Sequence, residues 1–137
     1  MDISKLTDRI LKAKKVFLIG NGGSYANAVH IANDLLACGV KAFTIDPATL
    51  TAIGNDYGYS HIFSRWLRVV AESGDLLIAL SGSGKSPNIL AAIVEAEHIG
   101  MDIEKVFGAP RYDMQSAEEE QLWMGHEIMR KIREKRS

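Results

Sequence analysis

The sequence predicts an α/β fold, a three-layer sandwich in which helices cover both faces of a parallel sheet of four or five strands. Short apolar runs occupy residues 16–19 and 76–80, and residues 42–45 form a further strand-like segment that is apolar except for Thr44. Such runs are typical of strands that are buried on both faces of a sheet. Segments with apolar residues at helical spacing separate the runs. This alternation favours right-handed crossovers and therefore parallel strands.

The first half of the chain alternates helix and strand. In order, we expect an amphipathic helix at 3–11, a strand at 16–19, a glycine turn at 20–24, a helix ending at Gly39, a strand at 42–45, a short helix at 49–53 and a turn at 54–58. The buried stripe of the second helix is predicted to consist of Ala28, Ala32, Leu35 and Leu36.

The second half continues the pattern. In order, we expect an amphipathic helix at 59–70, a strand at 76–80, a helix from Pro87, a fourth strand at 103–107, a loop at 108–115 and a last helix to about residue 134. The helix after Pro87 carries an apolar stripe of Ile89, Leu90, Ile93, Val94 and Ala96. Ser116 and Glu119 have the spacing of a capping box for the last helix.

Composition limits the class of protein. A chain of 137 residues with 47% apolar and 24% charged residues is typical of one globular domain, here 1–137. The net charge of −1 predicts neither a nucleic-acid nor a membrane partner. Cys38 is the one cysteine, which excludes an internal disulfide. With no signal-peptide pattern at the N-terminus, the sequence predicts a cytoplasmic protein.

The turn at 81–86, with the sequence SGSGKS, is the strongest functional signal. It joins a buried strand to a helix N-terminus, where backbone N–H groups, hydroxyls and the helix dipole can bind a phosphate. A plain turn with serine caps remains the alternative interpretation. The nucleotide-binding pattern G-x-x-x-x-G-K-[ST] would require glycine at position 79, where this chain has Ala79.

Two helices carry pairs of side chains that can do chemistry. His30 and Asp34 are four residues apart, so they lie on one helix face, and Glu118 and His126 are two helical turns apart. Two histidines and two carboxylates suit zinc or another divalent metal. The same groups could instead act as general acid and base, or form ordinary surface pairs. His61, His98 and Cys38 are assigned no role.

Three motifs give the chain a family resemblance. They are GNGGSYANAVHIANDL at 20–35, TAIGNDYGYSHIFSRWL at 51–67 and LSGSGKSPNILAAI at 80–93, with a weaker match in EEEQLWMGHEI at 118–128. On these residues the sequence resembles the sugar isomerase (SIS) domain family, and within it the phosphoheptose isomerases. The resemblance implies a Rossmann-like sheet of five parallel strands, a homo-oligomer (dimer or tetramer) with sites between subunits, and a place in lipopolysaccharide heptose biosynthesis.

The resemblance also implies site residues. Phosphate-binding positions are Ser81, Gly82, Ser83 and Ser86, with Lys85 nearby, and sugar-binding positions are Asn21, Ser24 and Asp56. Metal-binding positions are His30, Asp34, Glu118 and His126, of which Asp34 and His126 are also catalytic, and zinc is the implied metal.

The sequence departs from the family in three ways. Asp34 stands where the isomerases have a glutamate, and Glu118 stands where they have a glutamine. A side chain one methylene shorter can misplace a base by about 1 Å, which can reduce a rate by orders of magnitude. The third departure is a short chain, in which residues 110–115 replace a further strand and loop and the first helix is shortened.

Two functions follow from the resemblance. The first is an aldose–ketose isomerase that acts on a sugar phosphate, most like sedoheptulose 7-phosphate, through an enediol(ate). The second is a non-catalytic SIS protein that binds phosphosugars or serves as an adaptor, like the replication-initiator-associating relatives of the isomerases.

Overall fold

The computed structural model describes residues 1–108 and 113–136, and its centre is a parallel four-stranded sheet. The strands are β1 (Val16–Ile19), β2 (Ala42–Phe43), β3 (Leu76–Ser81) and β4 (Asp102–Phe107), in the order β2-β1-β3-β4. The helices are α1 (Ile3–Lys12), α2 (Gly23–Ala37), α3 (Pro47–Tyr57), α4 (Ile62–Val70), α5 (Pro87–Ile99) and α6 (Met114–Arg136). A 3-10 turn at Tyr59–His61 precedes α4.

Two apolar layers sandwich the sheet, as the sequence predicts. Along β3 the side chains alternate, because Leu76 and Ile78 belong to one core cluster while Leu77 and Ala79 belong to the other. The first cluster lies under α1, α2 and α6, and the second lies under α4 and α5. Every residue of β1 and β3 is buried, which explains why both strands lack polar alternation in sequence.

The segment between β2 and α4 differs from the prediction. β2 has only two residues, and α3 runs to Tyr57 without a turn at 54–58. Asp46 begins the helix by accepting the Thr49 N–H, with Pro47 at the first helical turn. The helix continues through Gly54 and ends at Gly58, whose φ of +95° favours glycine. Asp56 therefore lies on a helix and not in the predicted turn.

The last helix begins earlier than expected and with a different cap. Met114 is its first residue, and Asp113, not Ser116, caps it by accepting the Ser116 N–H at 2.7 Å. That bond also lowers the pKa of the Asp113 carboxyl. The predicted loop at 108–115 lies partly outside the described residues, and Gln115 is already helical.

Three residues of the apolar stripes predicted for α2 and α5 are exposed, contrary to the prediction. Leu36 on α2 is 52% exposed, and Leu90 and Val94 on α5 are 44% and 53% exposed. The remaining predicted stripe residues on these two helices are buried. Within the described parts of the chain, the length and apolar character that a bilayer span requires are not combined in any helix.

Candidate active site

The predicted phosphate loop lies between β3 and α5 and surrounds a hollow of about 40 Å³. Asn21, Ser24, Leu80, Ser81, Gly82, Ser83, Ser86 and Met114 line it. The Gly84 N–H donates to Ser81 Oγ at 3.0 Å, and the Lys85 N–H donates to Ser83 Oγ at 3.1 Å. Because both hydroxyls accept within the loop, their own O–H groups remain available to donate to an anion.

Ser86 occupies the N-cap position of α5 without making a side-chain cap bond. Its hydroxyl, which lines the hollow, is therefore not committed to the helix. The hollow lies at the N-terminus of a helix of 13 residues, where the dipole favours a negative charge. The loop thus has the donors and the field that a phosphate requires.

A second loop, from Gly20 to Gly23, is joined to this one through side-chain amides. Asn21 Nδ2 donates to Asn88 Oδ1, and Asn88 Nδ2 donates back to Asn21 Oδ1, both at 2.9 Å. The Tyr59 hydroxyl also donates to Asn21 Oδ1, at 2.9 Å. Asn21 is thereby fixed at the wall of the hollow. Asn88 and Tyr59 were not predicted, because their role appears only when distant loops meet.

Not every predicted binding residue reaches the hollow. Lys85 and Asp56 are both exposed and are absent from its lining, and Asp56 accepts a hydrogen bond from its neighbour Asn55. Met114, which was not predicted, contributes a wall instead. Its sulfur lies where a Cβ on residue 82 would stand, so a larger residue at position 82 would displace this flexible side chain.

Helices α2 and α6 pack closely along a polar seam. A Cβ on Gly125 of α6 would lie 2.6 Å from Ile31 Cγ1 of α2, so glycine permits the approach. Asn27 Nδ2 bridges the helices by donating to the Glu118 carbonyl at 2.8 Å and to Gln121 Oε1 at 3.0 Å. We call this contact the α2–α6 seam.

The seam brings together three of the four predicted metal ligands. Nε2 of His30 lies 3.2 Å from Nε2 of His126 and 3.2 Å from Oδ2 of Asp34, and His126 Nε2 lies 3.9 Å from the same oxygen. Each of the three residues offers one ligand atom, and these atoms all lie within 4.8 Å of one another. Asp34 comes from α2 and His126 from α6, so the group depends on the seam.

The three residues fit a divalent metal. Oδ2 of Asp34 is buried and makes no hydrogen bond within the described chain, although two imidazole nitrogens face it. Tetrahedral zinc with ligands at about 2.1 Å separates neighbouring ligand atoms by about 3.4 Å. The observed separations of 3.2, 3.2 and 3.9 Å match that value. Two histidines and one carboxylate are also a ligand set of catalytic zinc.

Glu118, the fourth predicted ligand, lies elsewhere in the seam. Its carboxylate contacts Gly23 at the start of α2, where a side chain larger than glycine would collide with it. Glu118 is not a member of the 4.8 Å group, which contains only His30, Asp34 and His126 among the described residues. The negative charge lies at a helix N-terminus, which the dipole favours.

Comparison with known proteins identifies the family. The sequence model described as SIS domain matches residues 3–106. The chain belongs to the SIS domain family. Its curated relatives include phosphoheptose isomerases from Campylobacter concisus, 44% identical over 72% of this chain, and from Burkholderia pseudomallei, 49% identical over 67%. The matches cover 56% and 51% of those proteins, so this SIS domain spans about half the length of the relatives it matches.

Solved structures agree with this assignment. The SIS domain aligns with phosphoheptose isomerase from Neisseria gonorrhoeae with a TM-score of 0.88 and 27% identity, covering 96% of this chain and 83% of that one. A phosphoheptose isomerase from Francisella tularensis aligns with a TM-score of 0.86, also at 27% identity. The predicted α/β fold with parallel strands is therefore confirmed, with four strands.

Proposed function

We propose that this protein is an aldose–ketose isomerase that interconverts sedoheptulose 7-phosphate and a heptose 7-phosphate. The observation that carries the proposal is the group formed by His30, Asp34 and His126, because the helix that supplies the first two, α2, also lines the phosphate hollow through Ser24. The similarity to phosphoheptose isomerases supports it.

The spacing along α2 suits a long sugar phosphate. Ser24 and His30 are six residues apart, which is a rise of about 9 Å along the helix axis. Seven carbons and a phosphate ester, with bonds of about 1.5 Å, span roughly 9 Å when extended. A heptose phosphate is therefore long enough to extend from the hollow to the level of the histidines along the helix axis. Binding at the remote phosphate supplies the energy that orients the reacting end.

Proton transfer is assigned to Asp34 and His126. One takes the proton from the carbon beside the carbonyl, and the other returns a proton to the neighbouring carbon. Oδ2 of Asp34 and Nε2 of His126, 3.9 Å apart, are the atoms that would hold a metal, so proton transfer is assigned to the other atoms of the two groups, Oδ1 and Nδ1. His30, Asp34 and His126 would hold zinc, which when bound polarises the carbonyl and stabilises negative charge on oxygen.

The remaining expectations extend this proposal. We infer a homo-oligomer, a dimer or tetramer, that works in the cytoplasm without a nucleic-acid or membrane partner. Val69 on α4 and Leu90 and Val94 on α5 are exposed apolar side chains that a subunit contact would cover. Light scattering of the purified protein measures the mass of the oligomer directly. A monomer at every concentration would contradict the inferred dimer or tetramer.

The experiment that tests the activity is turnover of sedoheptulose 7-phosphate by the zinc-loaded protein, followed by NMR of the sugar. Conversion is expected to fall at least about a hundredfold in His126→Ala. His98→Ala is the matched control, since His98 is an exposed histidine outside the group, and it should retain full rate. A folded, zinc-loaded protein without turnover would refute the isomerase.

A second candidate is a non-catalytic SIS protein that binds phosphosugars or acts as an adaptor. It is favoured by the half-length match and by the position of Glu118 away from the other three predicted ligands. This function requires the phosphate hollow alone. A thermal shift with sedoheptulose 7-phosphate, unaffected by His126→Ala and accompanied by no turnover, is its expected signature.

A further inference from the structure

Three hydrogen-bonded side chains join the wall of the phosphate hollow to two other segments of the chain. Asn21 lies in the loop after β1, Asn88 in the first turn of α5, and Tyr59 in the 3-10 turn before α4. The two amides exchange two bonds of 2.9 Å, and the Tyr59 hydroxyl donates a third to Asn21 Oδ1. Partners 38 and 67 positions away in sequence therefore meet at one side chain. We call this arrangement the Asn21 network.

The main chain of Asn21 is held independently of the network. Its carbonyl accepts from the N–H groups of Ser24 and Tyr25, at 2.9 and 3.3 Å, where α2 begins. Rotation of the side chain is the freedom that remains, and an amide can turn either its oxygen or its nitrogen towards a ligand. The three hydrogen bonds of the network remove that freedom. The network thus decides which group Asn21 presents at the hollow that it lines.

The donors and acceptors of the amide show which group that is. Oδ1 of Asn21 accepts from Asn88 and from Tyr59, which occupies both lone pairs of the oxygen. Nδ2 carries two N–H groups and gives one of them to Asn88 Oδ1. The second N–H is therefore what Asn21 can offer to a ligand. Without the Tyr59 hydroxyl, Oδ1 would regain a lone pair, which disfavours an anion.

The serines of the hollow have the same character. Ser81 Oγ and Ser83 Oγ each accept a backbone N–H of their own loop, so their O–H groups are free to donate. With the second N–H of Asn21, three side chains of the hollow can direct hydrogens at one ligand. An anion whose oxygens all accept, such as a phosphate ester, is complementary to this set of donors.

The two partners of Asn21 differ in burial. Asn88 is 2% exposed, so removing its amide would leave a gap in the fold and unpair a half-buried neighbour. Tyr59 is 58% exposed, so its hydroxyl bond competes with water and contributes little to stability. Tyr59 is therefore the partner whose effect on binding can be measured with the smallest disturbance of the fold.

We propose that Tyr59 and Asn88 are positioning residues for phosphate binding, because they orient the Asn21 amide so that its second N–H donates to the anion. Neither residue lines the hollow, so each acts through Asn21. This inference deepens the proposed isomerase function and rests on it, since it concerns how the same hollow holds the phosphate end of the substrate. Neither residue belongs to the group of potential metal ligands, so the expected effect is on binding and not on the chemical step.

Calorimetric titration of the metal-free protein with sedoheptulose 7-phosphate measures the binding step. Tyr59→Phe removes one hydroxyl and should weaken binding by about fivefold, and Asn88→Leu should weaken it by at least about tenfold. Tyr57→Phe is the matched control, because Tyr57 is a similarly exposed tyrosine whose ring packs on the Arg65 guanidinium. This control should bind as tightly as the wild-type protein.

A double-mutant cycle tests whether Tyr59 acts through Asn21. Asn21→Ala alone should weaken binding by about tenfold. Adding Tyr59→Phe to Asn21→Ala should change the affinity no further, and a second, independent fivefold loss would contradict the positioning role.

Turnover by the zinc-loaded protein separates positioning from a general loosening of the fold. Tyr59→Phe should raise KM for sedoheptulose 7-phosphate by about fivefold and leave kcat and zinc affinity unchanged. A loosened fold would lower kcat or zinc affinity as well, and that result would overturn the proposal. Because Tyr59 is exposed, its variant remains informative if Asn88→Leu fails to fold.

The failure of this inference can be told from the failure of the proposed function. Equal binding by the wild-type protein and Tyr59→Phe, with normal turnover by the wild type, would refute the positioning role and leave the isomerase standing. Binding that Tyr59→Phe weakens, without turnover by the wild type, would support the positioning role and refute the isomerase. A wild-type protein that does not bind the sugar phosphate would refute both.

Discussion

Two helix pairs differ in the side chains that join them. One is α4 with α5, and the other is α2 with α6. Buried apolar side chains join α4 to α5, among them Phe63 and Leu67 from one helix and Ile89 and Ile93 from the other. The α2–α6 seam carries an amide bridge from Asn27, two histidines and a carboxylate with an unpartnered oxygen. Both contacts bury apolar side chains, such as Ile31 and Ile128 in the seam, but only the second also holds the candidate chemistry among the described residues.

This difference teaches how a small domain accommodates reactive groups. Polar atoms that pack between helices need partners, because burial without hydrogen bonds is costly. In the seam, Gly125 lets the two helices approach until side chains from both can share atoms. The amide bridge then fixes the register in which His30 and His126 meet. Apolar packing alone would hold the two helices together but would not fix the register in which the histidines meet.

The largest expected effect is on stability, from the apolar contact. Phe63 is fully buried, so Phe63→Ala should lower the free energy of unfolding by about 3–5 kcal/mol. Urea denaturation measures this loss. Where the variant remains folded, zinc affinity should be unchanged, and a parallel loss of zinc binding would contradict the separation of the two contacts.

The amide bridge gives the next largest effect. Asn27→Leu removes the donor of both bridging hydrogen bonds and should cost about 2 kcal/mol of unfolding free energy. It should also weaken zinc binding, because α6 loses its register on α2. Asn55→Leu is the matched control, since Asn55 is exposed and, among the described residues, its side chain bonds only to Asp56. Equal stabilities of the two variants would argue against the bridge.

Replacing glycine by alanine should lower the stability of the fold in the α2–α6 seam and raise it in α3. Gly125→Ala places a methyl group 2.6 Å from Ile31 and should destabilise the fold by about 1 kcal/mol. Gly54→Ala meets only an ordinary 3.5 Å contact with Ile62, so better helix propensity should stabilise the fold by about 0.5–1 kcal/mol. Thermal denaturation of both variants decides this, and the same sign for both would count against a close-packed seam.

The smallest effect concerns an ion pair at the start of β4. The hydrogen bond from the Arg9 guanidinium holds the pKa of the Asp102 carboxyl below its ordinary value of 3.8. Stability from this pair is therefore present above pH 3.8 and lost as the pH falls through the lower folded-state pKa. Both side chains are partly exposed, so Asp102→Asn should cost only about 0.5 kcal/mol near neutral pH. The difference from wild type should shrink as the pH falls below 3.8, and a constant difference would contradict this assignment.

Much of the fold could be predicted from the sequence, because β1 and β3 are continuous apolar runs and their crossover helices are strongly periodic. The errors fall where tertiary contacts override local signals. The turn expected at 54–58 is helical, since Asp46 and Pro47 start a helix that Gly54 does not interrupt. Leu36, Leu90 and Val94 fit helical periodicity yet lie on outward faces, because spacing cannot tell which edge of a broad apolar stripe is covered.

The candidate site was predictable in part for a related reason. The serine loop and the pair of His30 and Asp34 each involve residues close together in sequence. Both could therefore be predicted from the sequence alone. Residue types alone suggested that His126 joins this pair, and the family resemblance strengthened the suggestion, because spacing on one helix says nothing about the helix it packs against. Asn27, Asn88 and Gln121 carry no local signal, since each acquires its role from a partner more than 60 positions away in sequence.

The central claim is that the α2–α6 seam holds one divalent ion between His30, Asp34 and His126. Isothermal titration of the metal-free protein with zinc tests it most directly. We expect one zinc per chain in the wild-type protein, at least about a hundredfold weaker binding in His30→Ala and in His126→Ala, and unchanged binding in His98→Ala. Equal zinc affinity in all four proteins, or no zinc bound by the wild type, would contradict the account.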